Sequence, residues 1–317
     1  MHFNGIEYAG RIYALLGGGW AGTVSAMICS RSANLTFVDG ELPKAIYNYK
    51  IYIIIVEKAK QEHTKYTGTS ANESFLLSVV RTNGLPVFGV REVVSLCGWE
   101  NSRTYNTLVS MERKGTITRI RRNNYAITDE LAGNAFRIAT EVVKPSYVSF
   151  WTALSHYGFT EQQVMAIQLV STRQVASFAA GQFKFEAVKF KPSRFYGYKK
   201  AEGFVIAEPE KTLVDSLARP DLCGGLGEFA KCLKNAWPGM DKKKFACYLI
   251  RFENKSVVSR AGHLIERIGL DFRETDILLQ SKSPGFVCLD PGAKKTRVYD
   301  KKWNIIVNSN IERKGIM

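Results

Sequence analysis

The sequence predicts a mixed α+β (α/β) protein, with a small module of three helices and a β-hairpin at about residues 70–128 and a larger domain after it. Three observations predict this. A four-residue helix-opening signature at Ser70 precedes apolar residues at helical spacing. A β-prone stretch interrupted by asparagines closes that run near Thr128. Beyond it, helical and strand-like patterns interleave. At 317 residues the chain holds two domains and an extension, taking roughly 100–200 residues per domain.

Residues 1–66 carry no strong periodicity and stand as an unassigned N-terminal extension, with Met27 as an alternative start. The apolar stretch Ile51 to Ala59 fits a strand or a short helix. From Ser70 the pattern sharpens. Ser70-Ala71-Asn72-Glu73 is an S-x-x-E capping box, in which hydroxyl and carboxylate satisfy opposite backbone donors, and Phe75, Leu76, Val79 and Val80 follow it. Gly84 ends this helix. Val90, Val93, Val94 and Cys97 mark a second helix, stopped by Gly98. A third is capped by Asn101 or Ser102 and ends at Gly115. Thr116 to Thr128 then reads as a hairpin turning at Arg122-Asn123-Asn124, where asparagine tolerates positive φ. Further on, the pattern predicts a helix at Tyr147–Tyr157, a strand at Val164–Val170, alternating strand structure over Phe183–Phe190 and a helix opening at Pro209.

The third helix carries the functional signal. Tyr105, Leu108, Met111 and Gly115 form an expected inward stripe, and Arg103, Asn106, Thr107, Ser110, Arg113 and Lys114 form the expected outward face, polar or basic throughout. Helix-turn-helix readers present short polar and cationic side chains in this way to the major groove. Arg103 and Asn106 are the candidates for base edges, and Thr107, Ser110, Arg113 and Lys114 for phosphates. The hairpin adds Arg119, Arg121, Arg122 and Asn123, a composition suited to a wing along the DNA backbone. The module at 67–128 is therefore read as a winged helix-turn-helix, and 129–317 as the larger domain.

Charge points to a polyanionic partner: 44 Lys and Arg against 29 Asp and Glu leave +15. From Glu73 to Thr128, eight cations against four acids give +4, so the module shares the excess without holding most of it. A second candidate basic surface lies in Phe183 to Lys200, with Lys184, Lys189, Lys191, Arg194, Lys199 and Lys200 among six aromatic residues. Alternation of Phe183, Phe185 and Ala187 favours a half-buried strand there.

Other classes fit less well. Cys29, Cys97, Cys223, Cys232, Cys247 and Cys288 include no C-x-x-C pair and read as reduced thiols of a cytoplasmic protein. The uncharged run Ile12 to Cys29 is a poor signal peptide, with Glu7 ahead of it and three glycines at its centre, and no membrane association is expected. Gly17, Gly19 and Gly22 satisfy G-x-G-x-x-G ahead of Asp39, a partial dinucleotide fingerprint in a segment long enough for one βαβ unit only. Thr23 stands where a phosphate loop needs lysine. His156 and His263 lack partners at ligand spacing, and neither metal nor cofactor is expected. Glu186 and Lys189 are three apart on a strand and point to opposite faces. A metal-dependent nuclease using Glu186, Glu210 or Asp215 remains the rival reading, and a plain transcription factor is a third.

From about Glu73 to Asn308 the chain resembles the AbiEi abortive-infection antitoxins, grouped with transcriptional regulators of viral defence systems. The resemblance rests on Met111–Gly115, Tyr125–Ile127, Ser146–Ser149 and Ala153–Gly158. It continues in Ala207–Asp215, Ala261–Gly269, Leu289–Pro291 and Trp303–Asn308. It implies a winged helix that binds repeats in its own promoter and represses its operon. It also implies a larger antitoxin domain opposing a nucleotidyltransferase toxin without a required stable complex, and no enzymatic activity. Residues 1–66 have no counterpart in that family.

Overall fold

The computed structural model describes residues 6–8, 11–15, 25–29, 35–39, 68–162 and 166–311. The chain divides into two compact units, Met1–Glu57 and Lys58–Met317. In the first, β1 (Ile6–Tyr8), β2 (Arg11–Leu15), β3 (Ser25–Cys29) and β4 (Leu35–Asp39) form an antiparallel sheet in sequential order. This pairing does not fit a βαβ unit, in which parallel strands are joined by a crossover, because β2 pairs directly and antiparallel with β3. The glycine run between them and the Ile51–Ala59 stretch lie outside the described residues.

The second unit opens with α1 (Ala71–Thr82), where both capping-box bonds form: Glu73 N donates to Ser70 Oγ at 3.3 Å and Ser70 N to Glu73 Oε2 at 2.8 Å. Next come α2 (Val90–Cys97), stopped by left-handed Gly98, and α3 (Asn101–Arg113). Glu100, rather than Asn101 or Ser102, occupies the N-cap of α3 and makes no side-chain cap bond. Strands β5 (Ile117–Arg121) and β6 (Asn124–Ile127) form the predicted hairpin, with Asn123 at φ 59°. Phe88 extends it, exchanging backbone bonds of 2.8–2.9 Å with Tyr125. Leu76, Phe88, Val93, Leu108, Met111, Ile117, Tyr125 and Ile127 close the core of this part.

After α4 (Leu131–Val142), a six-stranded mixed sheet organises the rest of the unit. Its strands are β7 (Ser146–Val148), β8 (Ala166–Ser171), β9 (Phe178–Ala180), β10 (Phe183–Lys189), β11 (Tyr198–Ala201) and β12 (Phe204–Ala207), in the order β11-β12-β7-β8-β10-β9. The predicted helix over Tyr147–Tyr157 is corrected. Ser146–Val148 is a central, fully buried strand, so it shows no amphipathic alternation, and the helix α5 is confined to Phe150–His156. Alternate residues face opposite layers. Val148, Ile167, Leu169, Phe185, Phe204 and Ile206 pack toward α4, whereas Tyr147, Val170 and Ala207 pack toward the helical layer that follows.

That layer comprises α6 (Pro209–Ala218), α7 (Leu226–Ala236), α8 (Lys242–Arg251), α9 (Lys255–Ile268) and α10 (Thr275–Ser281). Short strands β13 (Val287–Cys288), β14 (Tyr299–Asp300) and β15 (Ile305–Ile306) complete the described chain. They place Trp303 against α9, where a Cβ on Gly262 would lie 2.2–2.4 Å from the indole. Glycine is required there because the ring lies directly on the helix backbone. Among the described residues no helix is long and apolar enough to cross a membrane.

Candidate functional site

Leu108 and Met111 are fully buried and fix the inward direction of α3, with Thr104 and Thr107 beside them. At about 100° per residue, this turns Ser102, Asn106, Val109 and Arg113 to the opposite side. The outward face is thus rotated by roughly 60° from the one expected, by the same geometry. Tyr105, assigned to the inward stripe, is 59% exposed. Thr107, assigned outward, is 7% exposed and its hydroxyl donates to the Arg103 carbonyl at 2.9 Å. Asn106 and Arg113 are exposed as expected. With Tyr105, Val109, Ser110 and Lys114 they line a shallow depression that contains no acid.

Three of the expected contact residues lie on the flank of α3 that meets α1. Lys114 Nζ donates to Glu73 Oε2 at 2.8 Å and to the Gly68 carbonyl at 3.0 Å. Ser110 Oγ donates to Glu73 Oε1 at 2.8 Å. Arg103 donates to Asn72 Oδ1 at 2.6 Å and lies 4.5 Å over the Trp99 ring. Glu73 is therefore more than a cap. Burial would raise its pKa, but the bonds from Lys114, Ser70 N and Ser110 outweigh it and hold the group at about 2 against the ordinary 4.5. The S-x-x-E signature located Glu73; its reach to α3 is tertiary and left no local trace.

In the hairpin, Arg119, Arg121 and Arg122 are exposed. Arg121 lies 5.1 Å over the Phe178 ring of β9, so it also ties the hairpin to the large sheet. Asn123 has a structural duty: its Oδ1 accepts from Val90 N at 3.1 Å, at the start of α2. The approach is close. A Cβ on Gly89 would meet the Asn123 carbonyl oxygen at 2.3 Å.

The second basic cluster does not form one surface. Lys184 and Lys189 lie on β10, whereas Lys199 and Lys200 lie on β11 at the far edge of the sheet. Four strand spacings separate them, roughly 19 Å. Lys184 pairs with Glu186 at 2.5 Å, and Lys199 lies 5.5 Å over Tyr157. Arg194 stacks 4.5 Å over Phe252 and donates to its carbonyl at 2.8 Å. Lys191 and Lys200 are exposed.

The acids of the Ala207–Asp215 segment hold the fold together. Glu208 accepts from Tyr248 Oη at 2.5 Å and pairs with Lys244 at 2.9 Å; Glu210 accepts from Asp241 N at 3.1 Å. Deeper in, Lys211 and Asp215 are fully buried and bonded to one another. Asp215 also accepts from Ser149 Oγ at 2.8 Å and Tyr147 Oη at 3.1 Å. The Lys211 ammonium lies 4.7–5.7 Å from the rings of Tyr147, Phe190, Tyr196 and Phe252. Burial pulls the Lys211 pKa down and the Asp215 pKa up, each opposed by its partner. The spacing of four on one helix face was the available signal for this pair. Among the described residues no three His, Cys, Asp or Glu side chains converge on a metal-sized site.

Similarity to known proteins agrees with this architecture. The crystal structure of the RV2827C protein from Mycobacterium tuberculosis superposes with a TM-score of 0.54 at 12% identity, covering 73% of this chain and 89% of that one, which is a likeness of fold. A comparison with curated proteins gives no match. The family model of the AbiEi antitoxin C-terminal domain matches residues 147–267, from the Tyr147 strand through α9. That span takes in both members of the buried Lys211–Asp215 pair, Gly262 and the central strands of the large sheet, and over it the chain is similar to the AbiEi antitoxin C-terminal domain.

Proposed function

We propose that this protein is a sequence-specific DNA-binding repressor of its own operon that also serves as the antitoxin to a nucleotidyltransferase toxin. On this reading residues 67–128 are a winged helix-turn-helix with α3 as recognition helix, and 129–317 are the antitoxin domain, acting in the cytoplasm. The observation that carries it is the outward side of α3. Asn106 and Arg113 stand exposed on a face without acids, and Arg119, Arg121 and Arg122 stand exposed on the following hairpin. Asparagine matches the adenine edge and arginine matches guanine or phosphate. A formal charge of +15 supplies the nonspecific attraction on which base reading is superimposed. The nuclease reading gains no such support, because Asp215 is enclosed and already neutralised by Lys211.

The test is a salt-titrated mobility shift of the purified protein on its own upstream DNA and on scrambled DNA of equal length. Preference for the upstream fragment that survives ~200 mM salt is expected, since nonspecific phosphate binding fades there. Equal, salt-sensitive binding to both would refute the reading, as would undiminished binding by a variant neutralised at Arg103, Asn106, Arg121 and Arg122. The antitoxin half is checked by co-expression with the neighbouring gene: rescue of toxin-arrested growth is expected, and absence of a nucleotidyltransferase gene beside it would leave a plain repressor.

A further inference from the structure

Tyr105 is a large aromatic side chain on the solvent side of α3, 59% exposed, beside Asn106 and one helical turn from Val109. Its inward-facing neighbours explain its position: Thr104 and Leu108 fill the space that the sequence pattern would have given to Tyr105. A ring held in water on a binding helix gains most where its partner presents an apolar group. In the major groove that group is the thymine methyl, and the side chain next to Tyr105 is the amide suited to adenine N6 and N7.

We propose that Tyr105 packs against a thymine C5-methyl while Asn106 reads an adjacent adenine, so that α3 selects an A+T element within the operator. This rests on the recognition-helix reading above and adds a base preference to it. Tyr105 is a specificity-determining residue alongside Asn106, because among the bases of DNA only thymine presents a C5-methyl in the major groove.

The experiment replaces single thymines of the bound upstream fragment by deoxyuridine and compares the full-length protein with Tyr105→Phe and Tyr105→Ala. Loss of one buried methyl is expected to weaken wild-type and Tyr105→Phe binding by roughly fourfold at one position. Tyr105→Ala is expected to bind the unmodified fragment less tightly and to be indifferent to the substitution. Unchanged circular dichroism and Tm in both variants confirm that the exposed ring carries no folding role. Salt-resistant binding of the upstream fragment with no uracil-sensitive position would overturn the proposal and leave the repressor reading intact. Tyr105→Phe falling as far as Tyr105→Ala would also overturn it, assigning the hydroxyl to a phosphate. Absence of any upstream preference in the wild type would overturn both.

Discussion

Replacing Glu73 by glutamine tests how α3 is held against α1. The carboxylate is 2% exposed and accepts from Ser70 N, Ser110 Oγ and Lys114 Nζ, each at 2.8 Å. Its pKa falls from 4.5 to about 2 on folding, a difference of about 2.5 units, or ~3 kcal/mol at 1.36 kcal/mol per unit. Because the folded value is the lower one, this stabilisation is fully present above pH 4.5 and drains away as pH falls toward 2. About 2 kcal/mol of it is gone between pH 6 and pH 3. Glutamine keeps the shape but cannot titrate. Urea unfolding followed by far-UV circular dichroism is therefore expected to find Glu73→Gln about 2–3 kcal/mol less stable at pH 7, about 1 kcal/mol less stable at pH 3 and nearly equal to wild type at pH 2. Since other carboxylates titrate identically in both proteins, the difference isolates this group. A gap under ~0.5 kcal/mol at pH 7, or one that stays constant down to pH 3, would refute the account of Glu73 as the charged link between α1 and α3.

Asp215→Ala leaves the Lys211 ammonium buried among aromatic rings and is expected to cost 3–5 kcal/mol in chemical denaturation, whereas the double change Asp215→Leu with Lys211→Met restores most of it; equal damage from both would refute the pairing argument. Gly262→Ala puts a methyl into the Trp303 indole and is expected to destabilise by about 1–3 kcal/mol, partly recovered by Trp303→Leu in the same chain. A Tm unchanged by Gly262→Ala would show that the indole can move away freely. Removing Arg119 and Arg122 together is expected to reduce the salt dependence of DNA binding by about 1.8 in log–log slope, at about 0.9 per phosphate contact, and an unchanged slope would take the hairpin off the DNA.

The parts legible in the sequence were those fixed by neighbours along the chain. The Ser70–Glu73 box, the Gly98 stop and the Asn123 turn each depend on residues within four positions, and each stands where the pattern put it. Strand β7 was misread because all three of its residues are buried, so a stretch with no polar face was merged into the helix after it. The helix-face error has a different origin. Tyr105 was sorted by its hydrophobicity, yet Thr104 and Thr107 fill the inward positions; Thr107 does so with its hydroxyl bonded back to the Arg103 carbonyl, whereas the Thr104 hydroxyl is buried without a partner among the described residues. Neither the Glu73–Lys114 link nor the Tyr147–Asp215 bond could be read locally, since 41 and 68 residues separate the partners.

Hairpin β5–β6 is a wall shared by two cores, and this bears on how the outward face of α3 is oriented. Ile117, Tyr125 and Ile127 pack against α1–α3, whereas Ile120 and Ala126 pack against α4 and the large sheet. Swinging the three-helix part and its hairpin away would expose Ile120 and Ala126, with Ile120 by itself costing about 1.5–3 kcal/mol, before the Arg81–Glu130 ion pair and the Arg137 bond to the Gly84 carbonyl are broken. The part that we propose reads DNA is therefore not a bead on a tether; its direction is set by its own hairpin, whose other face packs against α4 and the large sheet. Arg121 lies on this seam, over Phe178, and its removal confounds lost packing with lost phosphate contact. Arg119 and Arg122 carry no such tie among the described contacts, which makes them the pair whose loss reports on DNA alone.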